Sequence, residues 1–165
     1  MRTLDQYLDA YAVSHRNPLN QVIHVICVPA IFFATLALLW LVPVGRFVPG
    51  LPAEVAAWIN LATLLMPLAG VFYLSLSFGS FLVGVIWTVL SVLLILAIRH
   101  AHLPLFAIAA TVWVVAWIAQ FYGHHVEGAK PSFADDILFL LIGPLFVQQK
   151  LQRWVTTGSM QTKTR

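Results

Sequence analysis

Six histidines, His15, His24, His100, His102, His124 and His125, sit in a chain that otherwise avoids polar chemistry. Imidazole is costly to place in lipid and is the commonest metal-ligating side chain. Two of the clusters flank long apolar runs. His15 and His24 lie in Ser14-His15-Arg16-Asn17-Pro18-Leu19-Asn20-Gln21-Val22-Ile23-His24, where the first run begins. His124 and His125 lie in Gln120-Phe121-Tyr122-Gly123-His124-His125-Val126-Glu127, where the last long run ends. Asn20 and His24 are four residues apart, as are Gln120 and His124, so each pair shares one face of a helix. His124 and Glu127 are three apart and share a face if the helix continues through Gly123. Three imidazoles, or two with a carboxylate, leave open positions on a metal, the arrangement used by non-haem Fe(II) oxygenases. Zinc accepts the same ligands, so residue types leave the metal open.

The elements that must carry these residues are dictated by hydropathy. The chain has 165 residues, 61% hydrophobic and 9% charged, with mean hydropathy +0.89. No Asp, Glu, Lys or Arg occurs between Arg16 and Arg46, between Glu54 and Arg99, or between Arg99 and Glu127. Each gap exceeds the ~20 residues that cross a bilayer. The expected fold is all-α, an integral membrane four-helix bundle with spans at approximately 18–42, 55–77, 81–98 and 105–122. Residues 1–16 read as an amphipathic interfacial helix, with Leu4, Tyr7, Leu8 and Tyr11 at helical spacing. Asn17-Pro18 is a helix start, and Pro29 is a kink site inside the first span. Ile137 to Val147 is too short to span and reads as a re-entrant or interfacial helix, approximately 135–150, opened by a capping pattern at Ser132 to Asp135. Residues 1–154 are expected to form a single membrane domain, and 155–165 a disordered tail.

The first residues lack an apolar signal core, so the first span is expected to be its own insertion signal and to stay in place. Arg2, Arg16, Lys130, Lys150, Arg153, Lys163 and Arg165 fall on the terminal side of four spans, against Arg46 and Arg99 on the other. That imbalance places both termini in the cytoplasm, in a bacterial inner membrane or the endoplasmic reticulum. A pI near 9.4 then reflects basic flanks facing anionic lipid, with no nucleic-acid partner implied. Four spans also bring the start of the first and the end of the last to one membrane face. His100 and His102 fall on the opposite side and read as a solvated loop. Cys27, inside an apolar run, reads as a small buried hydrophobe.

The pattern His15-Arg16-Asn17-Pro18-x-Asn20-x-x-x-His24-x-x-x-x-Pro29, with Gln120-Phe121-x-Gly123-His124-x-x-Glu127-x-x-x-Pro131 and Gly143-Pro144-Leu145-Phe146, resembles a family of small membrane proteins. These are the 2-hydroxy fatty acid dioxygenases of fatty-acid α-oxidation, which act in phytosphingosine degradation. The resemblance runs from about Leu4 to Gln149, and its middle spans match only in hydrophobicity. It implies an Fe(II)-dependent enzyme that uses dioxygen to shorten a 2-hydroxy fatty acid by one carbon. His15, His24 and His124 would be the iron ligands, with His125 as the alternative to His124. Asn20, Gln120 and Glu127 would orient ligands or substrate. Lys130 or Arg16 is suited to pair with the substrate carboxylate. Where relatives often have Ala after Pro131, this chain has Ser132.

Two further readings stand beside this one. A haem electron carrier would use His24 and His124 as axial ligands. A non-enzymatic membrane scaffold would need none of these residues. The histidine-rich di-iron desaturases are excluded, because their HxxxH and HxxHH patterns do not occur here.

Overall fold

A computed structural model describes residues 2–131 and 138–158. Among the described residues the chain is all-helical, with seven α-helices, one 3-10 turn and no strand. The helices are α1 (Leu4–Val13), α2 (Pro18–Trp40), α3 (Ala53–Trp58), α4 (Leu61–Leu76), α5 (Phe78–His100), α6 (Leu105–Glu127) and α7 (Phe139–Thr157), with the 3-10 turn at Val44–Phe47. They divide into two compact units, residues 1–30 with 115–165 and residues 31–114. The capping pattern expected at Ser132 to Asp135 lies outside the described residues, as does the tail beyond residue 158.

The first unit is built on short-range signals that the sequence carries. Thr3 and Gln6 form a reciprocal capping box that starts α1. One stripe of that helix, Tyr7, Leu8 and Tyr11, is buried. Tyr7 meets Phe139 of α7 edge-on, with ring centroids 5.7 Å apart. Tyr11 packs on Phe146 at 4.9 Å. Helix α2 begins at Pro18 as expected, with Asn17 Oδ1 accepting the Leu19 N–H at 2.9 Å. Helix α6 runs on to Glu127, five residues past the expected end near 122, so His124 and Glu127 are both helical. Helix α7 continues to Thr157 and stops at Gly158, whose φ of 66° is the left-handed conformation of a helix C-terminus. Residues 155–157, expected in a disordered tail, are therefore helical.

The second unit has its own core, in which Phe33, Ala34, Ala37 and Trp40 of α2 meet Ala62 of α4, Ile95 and Ile98 of α5, and Leu105 and Ala109 of α6. Here the expected span 55–77 is broken. Asn60 and Thr63 form a second capping box, which ends one helix at Trp58 and starts α4 at Leu61. The 16 residues of α4 reach about 24 Å, short of the ~30 Å hydrocarbon core. Ser77 then has extended backbone and caps α5 by accepting the Ser80 N–H at 3.0 Å, so the turn sits before Gly79 rather than on it. Helix α4 rests on α5 because Gly84 has no side chain. A Cβ there would collide with the Tyr73 ring.

Three segments, Pro18–Phe47, Phe78–His100 and Leu105–Glu127, are long and apolar enough to cross a membrane. Their outer faces stay greasy, with Ile86, Val89 and Leu93 of α5 and Val115 and Ile118 of α6 exposed. Apolar patches of that extent fit contact with lipid. Helix α4 carries a similar exposed face in Leu64, Leu68 and Val71.

Candidate metal centre

Three of the six histidines converge inside the first unit. His15 follows the C-terminus of α1, His24 lies in the second turn of α2, and His124 lies near the end of α6. All three are buried, at 2%, 1% and 5% exposure. The ring centroids of His15 and His24 are 4.2 Å apart, and each stands 4.9 Å from His124. The rings are nearly perpendicular in every pair, at 75° to 84°. One nitrogen from each lies within 4.8 Å of the others.

Hydrogen bonds decide which nitrogen faces inward. His15 Nδ1 is 2.6 Å from the Tyr11 carbonyl, and His24 Nδ1 is 3.0 Å from the Asn20 carbonyl. A carbonyl only accepts, so both Nδ1 atoms carry the proton and both Nε2 atoms carry a lone pair. His15 Nε2 is buried and has no hydrogen-bond partner. His124 has a backbone hydrogen bond with Ala129, and its Nδ1 is likewise buried without a partner. Buried orphaned imidazole nitrogens are rare, because each forfeits its hydration. Two such lone pairs converging with a third fit a cation that accepts them. The second nitrogen of each ring is held by a carbonyl, as the ligating histidines of metal sites usually are.

The surroundings hold the first of these rings neutral. Tyr11 stacks on His15 with centroids 4.1 Å apart and planes within 4°. Burial, chiefly, and the nearby His24 lower the His15 pKa to about 2, against the hydrogen bond to Tyr11. A neutral imidazole is the form that binds metal. Burial pushes the Tyr11 phenol up, so it stays protonated. Lys150 of α7 is also buried, at 1% exposure. Burial first, and Arg153 second, lower its pKa to about 8.

Around the histidines runs a polar clip. Glu127 Oε1 accepts the Arg16 N–H at 2.8 Å, and its Oε2 accepts the Asn17 N–H at 2.7 Å and an Asn20 Nδ2–H at 3.2 Å. The carboxylate thus satisfies orphan donors at the N-terminus of α2, where negative charge is favoured. It stands outside the cluster of ligand atoms. Asn20 Nδ2 also donates to the Ser14 carbonyl at 3.1 Å. Gln21 Nε2 donates to the carbonyls of His15 and Arg16 at 2.8 and 3.3 Å, and its Oε1 accepts from Lys150 Nζ at 3.1 Å. Lys150 Nζ lies over the Phe146 ring at 5.2 Å, and that ring is 5.3 Å from His15.

The sequence-predicted residues therefore separate. His15, His24 and His124 come together, while His125 is exposed. Asn20 and Gln120 are buried, at 0% and 5%. Arg16 and Lys130, the two cations expected for a carboxylate, are exposed, as are His100 and His102. Among the described residues the buried cation is Lys150, which sequence reasoning did not single out, nor did it single out Gln21 or the Tyr11 stack. One signal for Lys150 was available: it continues the stripe Gly143, Phe146, Val147 on an otherwise apolar helix face. Gln21 offered none, since its partners are a distant side chain and two loop carbonyls.

A family model described as "2-hydroxy-palmitic acid dioxygenase Mpo1-like" matches residues 1–155. The chain belongs to that family. The protein named 2-hydroxy-palmitic acid dioxygenase MPO1 from Saccharomyces cerevisiae is 31% identical over 147 residues, covering 87% of this chain and 76% of that one. No solved structure matches significantly. The matched region takes in all three buried histidines, Asn20, Gln120, Glu127 and Lys150 of this Mpo1-like chain.

Proposed function

We propose that this protein is an Fe(II)-dependent dioxygenase that shortens 2-hydroxy fatty acids by one carbon at a membrane face. One observation carries the reading: in a chain of the Mpo1-like family, three buried imidazoles converge with ligand nitrogens within 4.8 Å. The donor set fits a metal ion, with His15 Nε2, His24 Nε2 and His124 Nδ1 as its ligands. Three protein ligands leave positions for a chelating substrate. Zinc is redox-inert, so relationship to a dioxygenase favours iron. Bound iron would supply redox activation of dioxygen beside the substrate.

The chain's own residues do the rest. The Tyr11 and Asn20 carbonyls hold two imidazoles in the tautomer that presents a lone pair. Glu127 and Asn20 tie the α1–α2 junction to the end of α6 and so keep His15 beside His124. Tyr11 and Phe146 shield the His15 ring from water. At the polar mouth, the exposed cations Arg16 and Lys130 would attract the substrate carboxylate. The acyl chain of a membrane-partitioned acid would lie in lipid along Val22 and Ile26 of α2 and Phe121 of α6, which are exposed in the same unit. We take α4 to cross as a fourth span where the bilayer thins to its length of about 24 Å, and the basic residues then favour a cytoplasmic mouth in a bacterial inner membrane or the endoplasmic reticulum. The haem alternative is disfavoured by the third imidazole. A porphyrin between His24 and His124 would need more than 4.9 Å between their centroids and would collide with His15.

The test is metal analysis of the purified protein, followed by anaerobic Fe(II) loading and addition of 2-hydroxypalmitate and air. The expected result is about one iron per chain, no Soret band, and consumption of substrate that requires both iron and oxygen. Iron-loaded protein that consumes no 2-hydroxy acid would overturn the reaction. A Soret band would overturn the metal centre.

A further inference from the structure

His15 Nε2 and His124 Nδ1 are lone pairs, and a cation accounts for both. Gln120 Nε2 is buried without a hydrogen-bond partner too, yet it is different in kind. An amide N–H donates, so it cannot ligate a metal and instead awaits an acceptor. Gln120 is 5% exposed and sits one turn before His124 on the same face of α6. Gly123 packs against Asn20 and Ile23, so the end of α6 lies along the start of α2 in the opposite direction. One turn back on α6, position 120 therefore comes level with the next turn of α2, which carries His24 and Cys27. The orphan donor borders the histidine triad on its inner, apolar side, away from the α1–α2 junction.

The proposed chelate assigns the acceptor. A 2-hydroxy acid held at the triad would bring its carboxylate and its C2 oxygen to the metal together, and the C2 oxygen is the group a plain fatty acid lacks. Gln120, one turn before His124, is the buried donor on that side of the triad. We propose that the Gln120 amide donates to the C2 oxygen of the substrate and is the residue that selects 2-hydroxy acids over plain fatty acids. This rests on the reaction proposed above.

The test is binding without turnover. Iron-loaded protein in detergent, kept anaerobic, is titrated with 2-hydroxypalmitate and with palmitate, for the wild type, Gln120→Leu and Gln120→Met. The variants should keep their iron. Their melting temperature should not fall, because an apolar side chain replaces an unsatisfied donor. Their preference for the hydroxylated acid should drop by a factor of about ten to one hundred, the worth of one buried hydrogen bond. Met keeps the length of Gln, so it remains informative where Leu fails to fold. Iron lost from both variants, or melting temperatures lowered in both, makes the amide a structural group and overturns the proposal. A wild type that discriminates while both variants still do overturns the role of Gln120 alone. A wild type that binds both acids alike overturns this inference, while the reaction itself stands or falls on the oxygen-dependent consumption of 2-hydroxypalmitate.

Discussion

Gly123→Ala tests how tightly the histidine triad depends on the approach of α6 to α2. A Cβ at position 123 would overlap Asn20 Oδ1 and stand 3.4 Å from Asn20 Cγ and Ile23 Cδ1. Asn20 cannot swing aside without cost. Its Nδ2 is held by the Ser14 carbonyl at 3.1 Å and by Glu127 Oε2 at 3.2 Å. Losing one neutral and one charged hydrogen bond costs about 2.5–4 kcal/mol. Against this, Ala is better than Gly inside a helix by about 1 kcal/mol. The net expectation is destabilisation by about 1.5–3 kcal/mol, a melting temperature lower by about 3–12 °C at this chain length. If the helices separate instead, His124 moves from His15 and His24, and metal affinity falls. Thermal unfolding in detergent with metal analysis reads both. The double variant Asn20→Ala, Gly123→Ala removes the collision partner, so its loss should be smaller than the sum of the two single losses. A Gly123→Ala protein with unchanged melting temperature and full metal content would refute the reasoning.

Three other expectations follow from the same geometry. His124→Ala should lose bound metal, whereas His125→Ala, His100→Ala and His102→Ala, all at exposed positions, should keep it; metal loss from His125→Ala reverses the choice between the two neighbours. The His15 pKa is lowered from 6.5 to about 2, so the unfolded chain binds the extra proton first and stability falls by about 1.4 kcal/mol per pH unit below 6.5. Denaturant unfolding at pH 7 and pH 5 measures that slope, which should be reduced in His15→Phe. Glu127→Gln turns an acceptor oxygen into a donor facing the N–H groups of Arg16 or Asn17 and should cost about 1–3 kcal/mol, with chemical denaturation as the check; full stability would show that the carboxylate is not what caps α2.

The sequence by itself determined that this chain is helical, with segments long and apolar enough to cross a membrane, because hydropathy acts locally: charge-free runs between Arg16 and Arg46 or Glu54 and Arg99 satisfy their backbone in lipid only as helices. It also determined the pairing of Asn20 with His24 and of Gln120 with His124, since a fixed helical repeat places residues four apart on one face. Even the break at Asn60 was legible, in the Asn60 and Thr63 capping box, though the surrounding apolar run masked it. The choice between His124 and His125 was not. Adjacent residues differ by about 100° around a helix, and only the packed position of α6 says which one faces inward. The tertiary structure likewise decided that Glu127 caps the start of α2, that Gln21 reaches Lys150 across 129 residues, and that Tyr11 stacks on His15. Each is a contact between a side chain and a partner on another element, and no periodicity along the chain encodes such a contact.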